Sequence, residues 1–135
     1  LRRQRQMCIR DRYIRDVFKV SVECKAYTEN AMLKRILVDC TLLKHTNPNL
    51  RFILLQLESQ LGGDYSNIFK DVLLGSPSTH TLLSYFDVNL NIITLLEGER
   101  KVDRPIHNHE YYKPLTIKSL ERALRAIKEV LMKSI

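Results

Sequence analysis

Apolar positions along the chain change period several times, and each change marks an element. Phe18 to Glu23 alternates as FKVSVE, the period of two expected of a strand. Beyond Thr28, whose hydroxyl is placed to cap a first helical turn, Met32, Leu33, Ile36, Leu37, Cys40 and Leu43 recur at three and four residues. That helix should end near His45, before the turn signal Asn47-Pro48-Asn49. Leu50 to Leu57, LRFILLQL, is almost continuously apolar, as a central parallel strand covered on both faces would be. Gly62-Gly63-Asp64 breaks the chain. A second helix is predicted over Tyr65 to Leu74, with Ile68, Phe69, Val72 and Leu73 inward and Gly75-Ser76-Pro77-Ser78 stopping it. Thr79 to Phe86 fits either a further short helix or an irregular connection. Val88 to Leu96, VNLNIITLL, is another strand, followed by a polar stretch over Glu97 to Glu110. A short, partly aromatic strand at His109 to Tyr112 runs into Lys113-Pro114. Thr116 then caps a terminal helix whose inward face is read as Ile117, Leu120, Ala123, Leu124, Ile127 and Leu131.

Strands alternating with helices of ten or more residues imply βαβ units, and so an α/β domain whose parallel sheet carries helices on both faces. In open sheets of that kind ligands gather at the carboxyl ends of the strands. Gln56 to Glu58, Leu95 to Glu97 and Lys113 are the positions to inspect.

Composition adjusts this picture in two places. A chain of 135 residues with 44% apolar content suits a single core. The net charge of +7 invites a nucleic-acid reading, but residues 1–12 hold five Arg and one Asp, leaving 17 basic and 14 acidic side chains of the 22 and 15 in the chain. Met7-Cys8-Ile9-Arg10-Asp11 also looks like translated sequencing-adapter sequence, so residues 1–16 are set apart as a non-native or disordered leader and 17–135 as the domain. Cys24 and Cys40 lack ligand-like spacing and read as reduced thiols of a cytoplasmic protein. No apolar run is long enough to cross a bilayer, so no membrane contact is expected.

Other constellations fall short of chemistry. His107-Asn108-His109-Glu110 offers two imidazoles and a carboxylate without a third or fourth spaced ligand, so no metal site is expected. Gly62-Gly63-Asp64 lacks the Lys-Ser/Thr of a phosphate-cradling loop, and no serine sits in a nucleophile elbow. No catalytic residue is named, and enzymatic activity of this fragment is not expected.

Tyr112-Lys113-Pro114-Leu115-Thr116, with Leu120 and Leu124 on the helix behind, resembles the end of the receiver domain of two-component signalling proteins. NIITLL is similar to that family's fourth strand, NPNLRFILLQLES to its third, and FKVSVECKAYTENAMLKRIL to its second strand and helix, so the resemblance covers roughly Val17 to Ile135. It implies a three-layer, flavodoxin-like parallel sheet, incomplete at its N-terminus. It also implies a lost phosphorylation site: Gln56 stands where the family has its acceptor carboxylate, Leu96 where it has a hydroxyl, Glu110 where it has an aromatic switch, and Lys113 alone survives as the phosphoryl-contact cation. The function so implied is that of a non-phosphorylatable pseudo-receiver in a phosphorelay protein such as a hybrid sensor histidine kinase. Such a module would work through protein partners or neighbouring domains, by the face of Tyr111, Tyr112 and the final helix, with no cofactor and no nucleic acid. Two alternatives stand beside it. One is an active response regulator in which Asp64 or Glu58 is the acceptor and Mg2+ the cofactor; the other is a small basic nucleic-acid-binding domain.

Overall fold

The computed structural model describes residues 9–14, 17–65 and 76–133, with side chains from residue 18 onward. Four strands form one sheet in the order β1-β2-β3-β4: β1 (Ile9–Ile14), β2 (Val17–Glu29), β3 (Arg51–Gln60) and β4 (Leu90–Thr94). β2, β3 and β4 are parallel, while β1 runs antiparallel to β2. The class is therefore α/β, as expected. Among the described residues a flavodoxin-like order is not seen, because the strands follow one another in sequence and the first is antiparallel.

Helices cover both faces of the parallel strands. On one face α1 (Asn30–Thr46) places Leu33, Ile36, Leu37 and Cys40 against Phe52, Leu54, Leu90 and Ile92. On the other, Ala123, Ala126 and Val130 of α3 (Ile117–Met132) meet Val20, Ile53 and Ile93. β3 and β4 feed both clusters, which is why their apolar runs are almost unbroken.

Several elements differ from the sequence reading. β2 continues six residues past Glu23, since Tyr27 and Thr28 favour extended backbone and β3 offers parallel partners out to Gln60. Thr28 therefore lies in the strand, opposite Ser59, and Glu29 occupies the N-cap of α1 with no side-chain cap bond. Ser76-Pro77 starts an element: Ser76 Oγ accepts from Thr79 N at 3.3 Å and Pro77 opens α2 (Pro77–Tyr85), a cap serine and first-turn proline in their usual places. The helix expected over Tyr65 to Leu74 lies, beyond Tyr65, outside the described residues. The expected final strand is a 3-10 turn at His109–Tyr111, closed by the Asn108 side chain on Glu110 N at 3.3 Å. With Pro114 lacking an N–H, the described residues contain no fifth strand for Lys113 to end.

α3 begins as expected, with Thr116 Oγ1 accepting from Ser119 N at 3.1 Å. Its buried face is the expected one in part: Ala123 is buried and Ile127 and Leu131 pack against the core, joined by Ser119, Ala126 and Val130, while Ile117, Leu120 and Leu124 are exposed. Small side chains hold the centre of the contact, and three of the larger ones lie on its flank.

Candidate functional site

The parallel strands carry a band of polar side chains on the α1 face. Residues 23, 25 and 27 of β2 share that face by the period of a strand, and the register sets Lys25 opposite Gln56 and Tyr27 opposite Glu58 on β3, then Gln56 opposite Thr94 on β4. Two acid–lysine pairs lie within the band.

The first is Glu23 with Lys25, Oε1 to Nζ at 3.0 Å, their side chains 12% and 32% exposed. Burial pushes the Glu23 carboxyl above its ordinary 4.5; the Lys25 ammonium opposes that rise and the nearby Asp39 carboxylate adds to it. A crevice of about 10 Å3, room for roughly one water, opens between Ser21 and Glu23 on the strand and Asp39 and Cys40 on α1. Burial and the same two carboxylates push the Cys40 thiol up to about 12, so it stays protonated and unreactive.

The second pair is Lys113 with Glu58, Nζ to Oε1 at 2.7 Å, with Glu58 almost fully buried. Lys113 also donates to Gly98 O at 3.1 Å. Its neighbours are fastened too: Gly98 N donates to Asp64 Oδ2 at 2.7 Å, Gly62 N to Glu99 Oε1 at 2.9 Å, and Arg100 N to Ser59 O at 2.7 Å. The Arg100 guanidinium stacks 3.5 Å over the Tyr27 ring. These contacts join the loop after β4 to β2, β3 and the turn at Gly62.

The residues singled out from the sequence fall as follows. Gln56 is buried in the middle of the polar band, its Nε2 donating to Thr94 Oγ1 at 3.0 Å. Lys113 is at the rim, beside Glu58. The acid missing at residue 56 is thus present two residues on, and the premise that no carboxylate accompanies this lysine fails. Leu96 is buried and continues the β3–β4 ladder through its N–H to Leu57 O at 2.9 Å. Glu110 sits exposed in the 3-10 turn, with Tyr112 beside it largely exposed. His107 and His109 are exposed, and among the described residues no three His, Cys, Asp or Glu side chains converge as a metal site. Among the described residues, no helix is long and apolar enough to cross a membrane.

Glu23 and Lys25 were passed over in the sequence. The signal was available: two opposite charges at i and i+2 of a strand must share one face, and their neighbours Val20 and Val22 show the strand is half-buried. Ending the strand at Glu23 hid it.

Comparison with known proteins bears on these two pairs. The chain is 58% identical over 120 residues to the type II restriction enzyme DdeI of Desulfomicrobium norvegicum, a match over 88% of this chain and 50% of that protein. The chain thus spans about half the length of this curated relative. No family model matches, and no solved structure does. Identity of that level over most of the chain overturns the receiver resemblance, and with it the phosphorelay function and the two-component vocabulary. The roles that resemblance implied for Gln56, Lys113, Leu96 and Glu110 lose their basis. The expectation of protein partners to the exclusion of nucleic acid falls as well, and the expected absence of a cofactor is left without support.

Proposed function

We propose that this chain belongs to the DNA-cleaving machinery of a restriction enzyme, with Glu23 and Lys25 as its reacting pair. The observation that carries the reading is the 58% identity to a type II restriction enzyme across 120 of the 135 residues. DNA cleavage is hydrolysis of a phosphodiester: water attacks phosphorus, negative charge builds on the phosphoryl oxygens, and a deoxyribose oxygen leaves with a proton. Such a reaction calls for carboxylate oxygens, a cation and a positive side chain at one place. The two lysines are similarly exposed, at 32% and 29%; Lys113 is also bound to Gly98 O at the rim, whereas a crevice adjoins Glu23.

Mg2+ is the cofactor this reading brings. It is commonly held by one or two carboxylates, with water and substrate phosphate completing its shell. Glu23, with Asp39 near enough to raise its pKa, is a donor of that kind. When bound there, the ion would supply positive charge to the phosphoryl group. On the protein's side, Lys25 keeps an ammonium within 3.0 Å of the carboxylate, where it can neutralise charge on a phosphoryl oxygen. The partly desolvated surroundings strengthen that interaction relative to open water. α3 turns Lys118, Arg125 and Lys128 to solvent, with Lys133 at its C-cap; Glu121 and Glu129 are exposed among them, leaving a modest basic excess for the phosphate backbone. A cytoplasmic location accords with such a substrate.

The test is cleavage of plasmid DNA by the full-length protein in Mg2+. Glu23→Ala and Lys25→Ala should each slow cleavage by about 10^2- to 10^4-fold, the range for a single group that stabilises or shuttles charge in the transition state. Wild-type rates in both variants would remove the pair from the chemistry, and a wild-type protein that leaves DNA intact would overturn the function.

A further inference from the structure

Lys25, Gln56 and Thr94 occupy one level of the sheet on three neighbouring strands, Lys25 in register with Gln56 and Gln56 with Thr94. Gln56 is 1% exposed. One arm of its amide is satisfied by Thr94 at 3.0 Å, and the other, Oε1, has no partner. Turning the amide over does not change the count, because a hydroxyl can donate or accept but serves one arm only. A buried acceptor left unpaired is costly, and where it persists it calls for an explanation. Lys25, on the adjoining strand roughly 4.8 Å away, has the complementary surplus: three N–H donors, of which Glu23 at 3.0 Å engages one.

We propose that Gln56 is a positioning residue for Lys25: its amide oxygen takes the ammonium when a ligand claims the Glu23 carboxylate. Glu23 cannot serve a cation or a water and keep Lys25 as its sole anchor. A lysine released from its carboxylate has a four-carbon stem and high rotamer freedom, and without a second anchor it would swing into solvent. Gln56 supplies that anchor from the adjoining strand, in register with Lys25. Thr94 fixes the amide from the far side, so the order of the row is Thr94 holding Gln56 and Gln56 holding Lys25. An amide suits the task better than a carboxylate, since it takes the ammonium without competing for the cation or cancelling the positive charge that the phosphate is to meet. The inference rests on the reading of Glu23 and Lys25 as the reacting pair.

Two measurements separate the inference from that reading. In the full-length protein, side-chain nitrogen NMR should show contacts between the Lys25 ammonium protons and the Gln56 carboxamide, strengthened in Glu23→Gln, where the competing carboxylate is gone. In DNA cleavage, Gln56→Met, of similar volume but without an acceptor, should lower kcat about tenfold with KM unchanged, and Gln56→Glu should restore part of the loss. No ammonium–carboxamide contact in wild type or in Glu23→Gln overturns the inference, whether or not Gln56→Met folds. So does a folded Gln56→Met with wild-type kcat, while Glu23→Ala is inactive and the reading of the pair stands. Wild-type cleavage by both Glu23→Ala and Lys25→Ala sinks the reading itself, and the catalytic part of the inference with it.

Discussion

At the scale of single residues, the role proposed for Glu23 is set against stability. Its carboxyl is raised by burial and by Asp39 more than Lys25 lowers it. A raised folded-state value means the folded protein prefers the protonated acid, so stability is fully present below the ordinary 4.5 and falls as pH rises through the folded value. Glu23→Gln is neutral at every pH and escapes that loss. Calorimetry from pH 3.5 to 8 should find the variant close to wild type at the acid end and higher in Tm at pH 7, while its DNA cleavage is lost. A lower Tm at pH 7 would mean that the Lys25 pair outweighs burial. The pair was legible in principle from spacing alone, because strand residues two apart share a face. Asp39 was not, since only the packing of α1 on β2 brings it near.

The elements teach where periodicity informs and where it misleads. Caps were readable: Thr116 holds the first turn of α3 as its sequence suggests. The inward face of α3 was readable only in part: Ala123, Ile127 and Leu131 pack inward while Ile117, Leu120 and Leu124 do not, because apolar side chains cover a wide arc of this helix. Hydrophobic spacing identifies a helix, whereas the depth of its groove against the neighbour decides which side is buried. The turn after β3 is the most constrained connection described. Gly62 has φ +82°, and a Cβ there would lie 2.4 Å from Ser76 Cβ and 2.6 Å from Ser76 N. Gly62→Ala combines left-handed strain with a backbone clash at the start of α2. It should therefore destabilise by more than the ~1 kcal/mol of strain alone. Urea titration measures it; a loss within ~0.5 kcal/mol would mean that the turn and α2 separate freely.

For the whole molecule, the alternation of strands and helices gave the α/β class, and the parallel pairing of β2, β3 and β4 followed from it. The antiparallel β1 and the lack of a fifth strand among the described residues did not follow, since both rest on pairing partners that local sequence does not name. The resemblance drawn from Lys113-Pro114 failed for the same reason: a lysine before a proline marks a chain reversal in many folds, and only its partner, Glu58, shows what it does here. The outer flank of α3 remains apolar, with Ile117 75% and Leu124 66% exposed. Because Leu124 contributes little to either core cluster, Leu124→Lys should change stability by no more than ~0.5 kcal/mol, as surface substitutions do. Urea denaturation measures the change. A large drop in stability would place Leu124 inside the core.

The loop after β4 is held at both ends, by Gly98, Glu99 and Arg100 where it leaves the strand and by Lys113 where it returns toward α3. Between those anchors, residues 101–104 and 107–110 are exposed. A ribbon clamped at its two margins can change length and lettering in the middle without disturbing what it is clamped to. Variation that alters what the protein touches, yet spares how it folds, has its cheapest home there.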